Sequence, residues 1–312
     1  MHVLIPYAIS DDLAAQGVLR ELRLPALQTL LAHLRLQSVH ELPEDSPVSA
    51  HERVQALAQG LDPQAPAWAA QRAHELGLPD AQTEAWAFIT PCHWELGQTR
   101  VTLRNPQALD LREEESRALL TAMQPYFAED GIALHYEQPL RWLAQGEPMR
   151  GLATASPERV IGRDVAPWLP ASPALRRLQN EMQMLLYTHA VTEARAQRGA
   201  WAVNSFWLSG SGAAKAPAPS LPETPDPSPL QIWPELMPAA VQGDWPAWAR
   251  AWQALDARLQ PMLPTLDSQP GLALTLCSEL RAQHYGPGGQ GLLARLRHRF
   301  KPVRLFEILA TA

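Results

Sequence analysis

The stretch from Ser172 to Gly210, SPALRRLQNEMQMLLYTHAVTEARAQRGAWAVNSFWLSG, is a helical pattern that runs into a strand pattern. Ser172-Pro173 supplies an N-cap and then proline at the first helical position, where the missing N–H is no loss because first-turn N–H groups have no helical partner. Leu175, Leu178, Met182 and Leu185 recur at intervals of three and four residues, giving one apolar stripe on a helix that Gly199 is expected to stop. Met182 and Met184 are both read as core filling. Beyond the glycine the period changes: Asn204-Ser205-Phe206-Trp207-Leu208-Ser209-Gly210 has the aromatic content of a buried strand and ends in a turn residue.

The same alternation extends outward along the chain. Val3 to Ala8 reads as a buried first strand, and Leu27, Leu30, Leu31 and Leu34 behind Pro25 as a helix. Further helices are expected from Ser49 to Ala58, Ala65 to Leu76, Leu111 to Glu129, and Trp245 to about Leu263, the last with Trp245, Trp248 and Trp252 packed against the main body. Strands are expected at Ala85–Thr90 (closed by Pro91), Arg100–Arg104 (paired with it through the Gly97 turn), Ile132–Tyr136, Leu272–Cys277 and Val303–Leu309. Helices alternating with isolated strands predict an α/β fold, an open, mostly parallel sheet with helices on both faces. The main α/β domain is placed at 1–212. A run bearing Pro217, Pro219, Pro222, Pro225, Pro227 and Pro229 marks an exposed Pro-rich insertion or linker over 213–229, and 230–312 is read as completing the same domain.

The chain's 312 residues, 46% of them hydrophobic, suffice for a large core, which excludes disorder throughout. A net charge of −6 removes the broad attraction that draws proteins onto phosphate backbones or anionic lipid, so nucleic acid is not an expected partner. No segment reaches the length of a membrane span and the N-terminal apolar run is too short for a secretory signal. Cys92 and Cys277 are far apart and lack a disulfide framework. Together these features predict a cytoplasmic protein with no membrane association.

Three groups of residues compete for a functional role. Thr90-Pro91-Cys92-His93-Trp94 lies at the end of a strand, where open α/β sheets bind ligands. Cys92 and His93 do not form a nucleophile and base, because neighbours on extended backbone point to opposite faces. Ser49-Ala50-His51-Glu52 has the spacing of a capping box, which accounts for Ser49 and Glu52 and leaves His51 as a candidate. The third group is the richest. Arg159 and Arg163 precede the long helix, while His189, Asn204 and Ser205 add neutral hydrogen-bonding groups. Arginine forks with amide and hydroxyl groups suit a small phosphorylated or carboxylated metabolite; the alternative is that both arginines pair with Glu158, Asp164 or Glu193 at the surface. Gly210-Ser211-Gly212 leads into prolines rather than a helix, which rules out a phosphate-binding glycine loop. The ten histidines form no local zinc motif, and no catalytic constellation appears. The expected ligand residues are therefore Arg159, Arg163, His189, Asn204, Ser205, His93, Trp94 and His51, with no metal and no cofactor.

Met1 to Tyr7, Thr90-Pro91-Cys92-His93-Trp94, Ser156 to Arg163, Glu181 to His189 and Val203 to Gly210 together resemble the RpfE-type regulatory proteins of proteobacteria, often labelled cofactor-independent phosphoglycerate mutase-like. The resemblance covers most of the chain and is poorest over the Pro-rich insertion. It implies a phosphoglycerate-mutase-like or alkaline-phosphatase-like fold. Metal-dependent enzymes of that group hold two divalent ions on Asp and His ligands and use a serine nucleophile; their first strand ends in Asp-Gly and a later one in Asp-His. Here the first strand ends Pro6-Tyr7-Ala8, Asp11 and Asp12 come later, and no Asp-His pair occurs. The expected function is a cytoplasmic regulatory or small-anion-binding protein, without metal-dependent catalysis. The alternative is a phosphoglycerate mutase-like phosphoryl-transfer enzyme with Asp11 or Asp12 and remote histidines on divalent metal. A third reading is a protein partner docking on the Pro-rich segment or the Trp245 helix.

Overall fold

A computed structural model describes residues 1–214, 229–268, 271–287 and 303–310. The chain divides into two compact units, Met1–Gln59 with Leu221–Ala312, and Gly60–Ser220. This partition differs from the expected one: the C-terminal segment joins the first fifty-nine residues, and the stretch between them carries a sheet of its own. Residues 215–228, nearly all of the Pro-rich run, lie outside the described residues.

In the first unit, β1 (His2–Ile5) leads through α1 (Leu13–Glu21) and α2 (Pro25–His33) to β2 (Leu34–Glu41) and α3 (Ala50–Ala58). The expected capping box at Ser49 and Glu52 is formed. The chain then enters the second unit through α4 (Trp68–Glu75), β3 (Ala85–Cys92), β4 (Trp94–Leu96), β5 (Val101–Leu103), α5 (Glu113–Glu129), β6 (Ala133–Gln138), β7 (Arg141–Gln145), α6 (Pro157–Val160), α7 (Pro173–Tyr187), α8 (Ala190–Gln197) and β8 (Ser205–Ala213). It returns to the first unit with β9 (Leu230–Ile232), α9 (Met237–Gln242), α10 (Trp245–Leu259), β10 (Ala273–Cys277), β11 (Arg281–Pro287) and α11 (Leu305–Leu309).

The first sheet has the order β2-β11-β10-β1-β9. β1 pairs in parallel with β10 and with β9, and the remaining pairs are antiparallel. All four residues of β1 are buried because both faces are covered. Val3 and Ile5 pack with Leu27, Leu30, Trp248 and Trp252 from α2 and α10, whereas Leu4 packs on the other side with Ala50 and Val54 of α3. The tryptophan stripe of α10 thus packs against the main body as expected. Leu24 gives α2 no side-chain cap, so Asp256 of α10 takes that role, accepting from the N–H groups of Ala26 and Leu27 at 3.2 and 2.8 Å.

The second sheet, β6-β7-β3-β8, is antiparallel throughout. Ala85, Ala87, Ile89, Phe206 and Leu208 face α5 and α7, and Trp86 and Leu143 face the alanines of α4. The α/β class with helices on both faces holds in each unit, and among the strands of the described residues parallel pairing joins β1 to its two neighbours.

Several local expectations change. The long helix breaks at Thr188, and Met184 is 78% exposed while Met182 is buried. Val101–Leu103 pairs with Trp94–Leu96 in a separate hairpin, not with β3. β3 continues through Pro91 to Cys92, because beyond Ile89 it pairs only with β8 and the missing N–H interrupts no ladder on the β7 side. The expected last strand is the helix α11.

Candidate functional site

In the second unit, the segment before α7 is fastened onto the sheet face that carries Cys92 and Trp207. The Trp207 Nε1 donates to the Ala155 carbonyl at 2.8 Å, and Val160 and Val165 join Cys92, Leu103 and Trp207 in one buried apolar cluster edged by Trp94 and Trp168. Backbone bonds from Gly162 to Leu103 and from Val165 to Val101, each 2.9 Å, tie the following turn to β5. Arg159 is fully buried on α6, its guanidinium carbon 4.9 Å from the centre of the Trp168 ring. Arg163, four residues on, is exposed and donates from Nη1 to the Arg159 carbonyl at 3.3 Å. Both arginines have further interactions within the chain.

The neutral candidates have structural partners. Asn204 turns its amide to the backbone of Trp94, accepting from the N–H at 2.7 Å and donating to the carbonyl at 2.9 Å. His93 bonds the Ala202 carbonyl through Nδ1 at 2.8 Å and lies against Trp201. His189 caps α8, its Nδ1 accepting from the Val191 N–H at 3.2 Å, which is why the helix breaks there. Ser205 differs: it opens β8 opposite Cys92, its side chain is fully buried, and its Oγ has no hydrogen-bond partner. Burial pushes the Cys92 thiol well above its ordinary range, and Cys277 in the first unit behaves alike, so neither is an available thiolate at neutral pH.

His51 belongs to the first unit. Its Nδ1 lies 2.9 Å from the Ser49 Oγ and its ring packs on Tyr7 at 5.7 Å between centres. Tyr7 follows the carboxyl end of β1 and holds a left-handed backbone, φ 54°. That place, between two parallel neighbours, is where α/β sheets receive ligands, and a strained non-glycine residue there was not legible from sequence. Asp12, a candidate metal ligand in the enzyme reading, caps α1 by accepting from Ala14 and Ala15 at 2.7 and 3.2 Å. Among the described residues no three His, Cys, Asp or Glu side chains gather in a set that could hold a metal ion, so they do not fit a two-ion centre. Among the same residues no helix is long and apolar enough to cross a membrane.

No protein-family profile matches the sequence, and no curated protein matches it. Two solved structures resemble the chain in shape. The cofactor-independent phosphoglycerate mutase of Thermoplasma acidophilum is 13% identical, with 99% of this chain and 98% of that one covered and a TM-score of 0.38. The PH0037 protein of Pyrococcus horikoshii is 11% identical, with 92% and 87% covered and a TM-score of 0.45.

Proposed function

We propose that this chain is a cytoplasmic regulatory protein that binds a small phosphorylated or carboxylated metabolite, without metal-dependent catalysis. The observation that carries the reading is the placement of Arg159 and Arg163: one guanidinium is held inside the unit against Trp168, the other stands at the surface four residues away. A rigid, permanently charged fork suits an oxyanion, and a ligand would join the contacts these arginines already make. The resemblance of the sequence to RpfE-type regulatory proteins supports the regulatory role. The engagement of Asp12, His93 and His189 in caps and backbone contacts weighs against the phosphoglycerate mutase-like alternative.

Thermal-shift measurements on the full chain with inorganic phosphate, small phosphate esters and small carboxylates test the reading, since a ligand of the native state raises its stability. At least one series is expected to raise the melting temperature, and Arg163→Ala to abolish the rise. Two stoichiometric Mn²⁺ or Zn²⁺ ions per purified chain, with phosphoryl transfer that a chelator removes, would establish the alternative instead.

A further inference from the structure

We draw no further inference here: the strongest candidate, the exposed apolar patch that Met184 and Tyr187 form on the outer face of α7, carries nothing because nothing among the described residues shows what covers it.

Discussion

The carboxamide of Asn204 closes two hydrogen bonds on the backbone of Trp94, accepting its N–H at 2.7 Å and donating to its carbonyl at 2.9 Å. In effect the side chain adds one residue of antiparallel ladder where β3 and β8 have ended, since the Asn204 N–H itself bonds the Cys92 carbonyl at 3.1 Å. Only an amide of this length offers a donor and an acceptor with that spacing.

Asn204→Ala is therefore expected to destabilise the protein by about 2 kcal/mol, because both Trp94 groups lose their partner in a half-buried setting. Asn204→Asp should be nearly as harmful, since a carboxylate cannot donate to the Trp94 carbonyl. Urea denaturation of the two variants decides the matter. Stability equal to that of the parent, with altered ligand binding, would return Asn204 to the role read from the sequence.

The sequence shows what depends on local pattern and hides what depends on distant partners. The stripe Leu175, Leu178, Met182 was legible because helical spacing alone decides which side faces the sheet, and all three are buried. Met184 lies off that stripe, and the general habit of methionine to fill cores gave the wrong answer. The break at Thr188 was invisible because Thr and His continue a helix as readily as they cap one. β2, β7 and β11 escaped detection: β2 is almost wholly exposed, and its Leu-Arg-Leu-Gln-Ser lacks an apolar face that a pattern could reveal. Arg159 and Ser205 were singled out through residue type and turn context, and both are buried. Whether an amide such as Asn204 faces a ligand or a backbone is fixed by where the other strand comes to lie, and spacing carries no record of that.

Arg195 shows the same limit and yields a prediction. It is fully buried on α8, with Nη1 2.6 Å from Glu115, Nε 2.7 Å from the Trp201 carbonyl and Nη2 on the Leu109 carbonyl. Arg198 reaches the other Glu115 oxygen at 2.7 Å. Burial by itself pushes the Glu115 carboxyl up, but hydrogen bonds from Arg198 and the Arg112 N–H, with the charges of Arg195 and Arg198, carry it below its ordinary 4.5. The folded chain thus holds this proton less tightly than the unfolded chain. Its ionic contribution is complete above about pH 4.5 and is lost as pH falls through the folded value. Glu137 between Arg72 and Arg141 has the same sign. Glu115→Gln should cost about 3 kcal/mol at neutral pH by leaving Arg195 without its carboxylate, and should flatten the fall of stability below about pH 4.5. Denaturant titrations at several pH values check both effects, and an acid limb as steep as in the parent would show that other groups govern it.

The glycines of β8 are the last case, because they invited a ligand-loop reading and have a packing role. Gly210 holds φ 59°, and a Cβ there would lie 3.0 Å from the Phe88 ring and 3.1 Å from the Trp68 Cβ. Gly212, at φ 143°, would bring a Cβ to 2.9 Å from the Ala67 Cβ. Both lie near the register shift of β3 against β8 between Trp86 and Phe88, and their bare backbone lets the start of α4 close on the strand. Gly210→Ala combines a left-handed backbone with a collision against a ring held between sheet and helix. The expected loss is about 2 kcal/mol or more. Binding of any small anion should be unaffected once the variant is folded, since the contacts are with Phe88 and Trp68 and none is with Arg159, Arg163 or Ser205. A Gly210→Ala protein with parental stability and lost anion binding would instead place the ligand against this glycine.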